Sequence, residues 1–113
     1  MSKRSTSLLL EDMREAAERI TDYVTGMSQA QFVADRRTAD AVAPNLEILG
    51  EAANRLPADF TQRHPDVPWP KIVGLRHRIV HDYFDIDLEI VWQITQHELP
   101  SLKGRLERLR ADV

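Results

Sequence analysis

A chain of 113 residues has room for one domain and one hydrophobic core, here residues 1–113, and excludes a multidomain machine. Hydrophobic residues at 42% are ordinary for a globular domain, but an aromatic content of 6% leaves Leu, Ile, Val and Ala to fill the core. Fifteen basic against eighteen acidic side chains, a net charge of -3, exclude a surface that holds polyanions over its whole extent, and the lack of cysteine excludes disulfides, thiolate nucleophiles and cysteine-ligated metals.

The apolar run Leu8 to Leu10 is followed at once by Glu11 and Asp12, so neither a signal-peptide core nor a membrane span is expected, and the chain reads as cytoplasmic. From about Ser7 to Thr25, Leu10, Met13, Ala17, Ile20, Val24 and Met27 recur at spacings of three and four, which predicts an amphipathic helix. Gly26 supplies a stop, and Ser28 with Gln31 has the form of a capping box opening a short helix around Phe32. A second long helix is predicted from about Arg37 to Leu56, with Val42, Leu46, Leu49, Ala53 and Leu56 facing the first helix. Pro44 falls inside it, which predicts a kink or a helix start at that point. Pro57, Pro65, Pro68 and Pro70 fix the next connection, with a short helix at Ala58 to Arg63, and Phe60, Val67 and Trp69 give it something to bury. A third long helix follows from Trp69 or Pro70 to about His81. Asp85 and Asp87 offer capping carboxylates for a last helix, Leu88 to about Leu109, bent at Pro100. Nothing alternates with period two, so the predicted fold is all-α: an antiparallel bundle of four main helices plus short ones.

On the third helix, Ile72, Val73, Leu75, Ile79, Val80, Tyr83 and Phe84 share a broad arc, and Arg76 falls near its middle. A guanidinium there needs a partner, because an unpaired buried charge costs several kcal/mol or more. The partner is either a carboxylate of the second helix, Glu47 or Glu51, or an anionic ligand matched to the planar guanidinium fork. The stretch from Lys71 to His81 holds Lys71, Arg76 and Arg78 with His77 and His81 and no carboxylate, an anion site within an acidic protein. A histidine beside a fixed arginine suits proton transfer at a phosphate. His77 and His81 also have a spacing compatible with two metal ligands, but no Glu lies between them and no third ligand declares itself, so neither metal nor cofactor is expected. His64 and His97 read as ordinary loop and helix-surface histidines, and Trp69 and Trp92 as packing residues.

The segment Gly74-Leu75-Arg76-His77-Arg78-Ile79-Val80-His81-Asp82-Tyr83-Phe84 resembles the signature of the HepT-like branch of the HEPN superfamily: Arg, four residues, His, any residue, Tyr. Asn45-Leu46-Glu47-Ile48-Leu49-Gly50-Glu51-Ala52 resembles that family's second-helix block, and Ile86-Asp87-Leu88-Glu89-Ile90-Val91-Trp92 with Leu99-Pro100 resembles its last helix. His77 stands where relatives often carry Asn, and Pro44 interrupts a helix usually free of proline. The resemblance implies an RNA-cutting toxin of a type II toxin–antitoxin pair, with transfer RNA as a candidate substrate. Its partner would be an MntA-like minimal nucleotidyltransferase antitoxin that silences it by transferring AMP to the motif tyrosine. It further implies Arg76 and His81 as catalytic residues, Tyr83 as the modified and substrate-positioning residue, Lys71, His77 and Arg78 as phosphate contacts, and a homodimer whose two motifs meet in one cleft. The competing reading is a non-catalytic helical dimer that binds a nucleotide or a protein partner.

One geometric difficulty is visible at this stage. Five helical residues turn by about 140°, so Arg76 and His81 point apart on an ideal helix. Either the helix ends or distorts before His81, or the working site combines residues of two chains.

Overall fold

The computed structural model describes residues 4–81 and 87–113, the side chains of residues 77–81 excepted, and every regular element among the described residues is helical. Helix α1 spans Thr6–Val24 and starts where the Ser5 hydroxyl accepts the Leu8 N–H at 3.2 Å. Its inner face buries Leu9, Leu10, Met13, Ala16, Ala17, Ile20 and Val24, the stripe predicted by the spacing with Leu9 and Ala16 added and without Met27, which lies beyond the helix and is half-buried. Gly26, at a φ of 80°, takes the left-handed conformation that only glycine adopts without strain, and reverses the chain. The capping box of Ser28 and Gln31 then opens α2, Gln29–Ala34, whose buried Phe32 packs on the Trp92 ring at a centroid distance of 5.5 Å.

Helix α3 spans Arg36–Arg55 and starts well before Pro44. Asp35 caps it, accepting from the Thr38 N–H at 3.1 Å and the Thr38 hydroxyl at 2.8 Å. The Thr38 hydroxyl first, and then its N–H, hold the Asp35 carboxyl below the usual aspartate range. Helix therefore forms on both sides of Pro44: the cap and the burial of Ala39, Val42 and Ala43 outweigh the one backbone bond a proline cannot donate. Of the kink or helix start expected at Pro44, the helix start is not found: the helix begins at Arg36, one residue from the predicted Arg37. Leu46, Leu49, Ala53 and Leu56 are buried as the spacing requires, and α3 lies between α1 and the third long helix.

The proline-rich connection contains α4, Ala58–Gln62, whose Phe60 is buried against Trp69 and the His64 ring. The Trp69 indole N–H donates to the His64 carbonyl at 3.0 Å, which ties this connection to the start of α5, Trp69–His81. Asp87 caps α6, Leu88–Gln93, by accepting from the N–H groups of Glu89 and Ile90; Asp85, the other expected cap, lies outside the described residues. Between α6 and α7, Leu99–Arg110, residues Ile94–Glu98 form a π-helical turn closed by the Leu99 N–H on the Ile94 carbonyl. The sequence predicts one helix bent at Pro100; the structure divides it into α6 and α7 with a π-helical turn just before the proline. Opening one turn removes the clash between the proline ring and the preceding carbonyls and lets the helix continue. Leu99, Leu102, Leu106 and Leu109 bury the inner face of α7, and Lys103 ties it to α1 through Glu18 at 3.3 Å and the Thr21 hydroxyl at 3.1 Å. Among the described residues, no helix is long and apolar enough to cross a membrane.

Candidate functional site

The site is built on α5, and Gly50 of α3 decides how closely α5 approaches. A Cβ added at Gly50 would lie 2.5 Å from the Arg76 Cβ and 2.6 Å from the Arg76 backbone nitrogen. Real side-chain atoms do not sit that close, so only glycine lets the two backbones meet here. The next residue of α3, Glu51, accepts a hydrogen bond through Oε2 from Arg76 Nη1.

Of the two carboxylates the sequence offered to Arg76, the structure thus selects Glu51; Glu47 is exposed on a groove that it shares with Asp12 and Glu51 between α1 and α3. Arg76 is not sealed within the apolar arc. Its side chain is 36% exposed and that of Glu51 45%, because Ile72 and Leu75 point into the core while Arg76 lies at the margin of the buried face. One nitrogen of the guanidinium is engaged by Glu51, and the fork retains further N–H donors for an anion.

Lys71, in the first turn of α5, pairs with Glu98 of the π-helical turn at 3.4 Å. The segment from Lys71 to His81 contains no carboxylate, yet α3 and the π-helical turn bring Glu51 and Glu98 against two of its three cations. The sequence offers Glu51 to Arg76 as one of two choices and shows no sign of the Lys71–Glu98 pair, whose members are distant along the chain. The backbone of α5 is helical without interruption through His81. The helix therefore does not end before His81, and with helical backbone throughout positions 76 and 81 diverge by about 140° around its axis. His77, Arg78 and His81 stand on this described backbone with side chains outside the described residues, and Tyr83 lies outside them altogether.

Trp69 and Trp92 are both buried, each 8% exposed, which agrees with a packing role. The reading of His64 and His97 as ordinary histidines needs dividing. The His64 ring packs on Phe60 at 4.7 Å, whereas His97 is exposed and lines a cavity of about 290 Å³ together with Lys71 and Arg105. Glu98 and Arg105 escaped the sequence reading, in which His97 is a helix-surface histidine and Gly50 only part of the second-helix block. Only Gly50 left a signal, as an isolated glycine inside a strong helical pattern.

The chain matches the ribonuclease HepT-like family over residues 13–109. A protein of Thermococcus cleftensis named "Probable ribonuclease HepT" is 39% identical over 108 residues, covering 96% of this chain and 98% of the relative. A protein of Methanocaldococcus jannaschii bearing the name of an RNase is 34% identical over 113 residues, 100% of this chain and 93% of its own. Another so named, from Caldanaerobacter subterraneus subsp. tengcongensis, is 34% identical over 100 residues, 88% and 89% of the two chains. No solved structure matches significantly. With the helical bundle, the signature that begins on α5 and this near full-length similarity together, the chain belongs to the ribonuclease HepT-like family.

Proposed function

We propose that this protein is a metal-independent endoribonuclease, the toxin of a type II toxin–antitoxin pair, with Arg76 and His81 as its catalytic residues. The observation that carries the reading is Arg76, held by Glu51 and Gly50, partly exposed and five residues before His81 on one helix, in a chain of a family named for ribonucleases. RNA brings its own nucleophile. Its 2′-oxygen attacks the adjacent phosphorus, the bond to the 5′-oxygen breaks, and a 2′,3′-cyclic phosphate and a 5′-hydroxyl result. The protein has to move a proton off the 2′-hydroxyl or onto the leaving oxygen, which is the role of His81, and to stabilise charge on the phosphoryl oxygens, which is the role of Arg76. Lys71, His77 and Arg78 contact neighbouring phosphates.

Because positions 76 and 81 diverge on an unbroken helix, the working site pairs Arg76 of one protomer with His81 of the other in a homodimer. Regulation follows from Tyr83. A nucleotidyltransferase antitoxin transfers AMP from ATP to its phenolic oxygen with release of pyrophosphate, and the added bulk and negative charge exclude a polyanionic substrate.

The test is cleavage of cellular RNA and transfer RNA by the purified chain with a chelator present, beside His81→Ala. The expected result is fragments ending in 2′,3′-cyclic phosphate from the wild type only. Equal, absent cleavage by both folded proteins favours the non-catalytic module. Mass analysis after co-production with a nucleotidyltransferase of this type is expected to show added AMP on Tyr83, and its absence leaves an antitoxin that works by contact.

A further inference from the structure

Against Lys71, Ile72 and Leu75 of α5, the π-helical turn and α7 enclose the cavity of about 290 Å³, with an aliphatic floor that includes Leu102 and a polar rim of Lys71, His97, Arg105 and Glu98, the Glu98 carboxylate pairing with Lys71 at 3.4 Å and leaving Arg105 as the cation without a carboxylate among the described residues. Arg105 is its unusual member. The Nη1 atom is buried without a hydrogen-bond partner, and among the described residues the guanidinium makes neither hydrogen bond nor ion pair. A buried donor left unpaired costs stability, so such a group in a folded protein calls for an acceptor supplied from outside. A guanidinium with lysine and histidine beside it calls for an anion.

The shape says more. The cavity continues into a second compartment of about 280 Å³ that shares Lys71 and Leu75 and extends past Gly74, where a Cβ would meet nothing within 4 Å. Lys71 and Gly74 line it, and positions 78 and 81 continue the same stripe of the α5 backbone at spacings of four and three, so the groove opens toward the part of α5 that carries position 81. Ten residues of helix place that position about 15 Å from Lys71. A bare inorganic anion leaves the aliphatic floor unfilled. A nucleotide supplies an anion and a flat apolar ring together, and a volume near 300 Å³ is of the order small-ligand sites require.

We propose that this groove is a nucleotide subsite of the RNA strand, taking one nucleotide with its phosphate on Arg105, Lys71 and His97 and its base on the aliphatic floor. The scissile phosphate lies a few nucleotides along the same strand, toward position 81. This rests on the ribonuclease reading, and Arg105 in it is a binding residue rather than a catalytic one.

The experiment titrates the wild-type chain with adenosine and uridine 5′-monophosphates, inorganic phosphate and penta-glutamate, following melting temperature and the methyl resonances of Ile72, Leu75 and Leu102. The nucleotides are expected to raise the melting temperature and move these methyls at concentrations about tenfold below those phosphate needs. Arg105→Met, which loses an unpaired N–H while keeping most of the volume, is expected to melt no lower than wild type and to abolish both effects. Arg105→Lys retains part of them. On a single-stranded RNA of roughly ten nucleotides, Arg105→Met is expected to raise KM about tenfold with kcat within about twofold. His81→Ala is expected to lose turnover yet keep the nucleotide-induced shifts, so failure of the cleavage reading and failure of the subsite are seen separately. Unmoved methyls, or a wild-type KM in Arg105→Met, overturn the proposal. Penta-glutamate acting as strongly as the nucleotides overturns it in favour of a protein partner.

Discussion

Arg76 and Glu51 are paired while each keeps more than a third of its side chain in solvent. An ion pair so exposed contributes about 0–1 kcal/mol to folding, too little to account for placing an arginine at the edge of an apolar arc. Its consequence is orientation. A carboxylate on one nitrogen limits the rotation of a long side chain and leaves the rest of the fork aimed where a phosphate can meet it. On the proposed mechanism Glu51 is a positioning residue. Glu51→Ala is expected to lower kcat for RNA cleavage about tenfold, close to 1.4 kcal/mol of barrier, with KM little changed and stability within about 1 kcal/mol of wild type. Glu51→Gln keeps an acceptor and is expected to recover part of the loss, whereas Arg76→Ala is expected to cost about 10²–10³ in kcat. Steady-state kinetics beside urea unfolding separate these outcomes. A rise in kcat on removing Glu51 would mean that the carboxylate masks the guanidinium rather than aims it.

Packing of α3 on α5 turns on a single missing methyl group. With the Arg76 backbone 2.6 Å from where a Gly50 Cβ would lie, Gly50→Ala forces the helices apart. Overpacking of this kind costs about 1–3 kcal/mol, although alanine is the better helix former. Gly104 of α7 is the internal comparison, since a Cβ there meets nothing within 4 Å and the residue is exposed. Gly104→Ala is therefore expected to stabilise by about 0.5–1 kcal/mol, so the same substitution changes sign with the space around it. Urea unfolding of both variants checks this. Gly50→Ala is further expected to lose more activity than its stability loss explains, because the displacement falls on Arg76. The π-helical turn acts at the same level: by widening the helix before Pro100 it keeps α6 and α7 continuous and carries Glu98 and His97 to the rim of the groove beside α5.

For the assembled protein, the decisive geometry is an α5 that does not break between Arg76 and His81. Two groups about 140° apart on one helix serve a single phosphate most simply when a second chain faces the first. Mixing Arg76→Ala and His81→Ala chains distinguishes the possibilities. If each site takes its arginine and histidine from different protomers, a heterodimer has one intact and one doubly defective site, and about half the wild-type dimer's activity returns. If each site lies within one chain, no activity returns. Purified heterodimers carrying two different affinity tags provide the measurement. Pairing also bears on charge, since a net of -3 spread over the chain coexists with a basic segment from Lys71 to His81 that a two-fold axis would bring face to face.

Periodicity and capping chemistry made most of the fold legible: the buried stripe of α1, the Ser28–Gln31 box, the proline-fixed entry to α5 and the Asp87 cap are all local, and local chemistry is what a sequence displays. The HepT-like resemblance was equally readable, because its signature occupies eleven consecutive residues. At the prolines long-range burial modified a local rule: α3 passes through Pro44 instead of starting there, and a π-helical turn precedes Pro100. Beyond the reach of periodicity lay every contact between residues far apart in the chain: which of two glutamates holds Arg76, why position 50 has to be glycine, and how Lys71, His97 and Arg105 come to surround one cavity. Residue types and spacing along one helix state what chemistry is available. Which groups meet is settled only when α3, α5 and α7 pack, since packing alone sets the distances on which hydrogen bonds, charge pairing and burial depend.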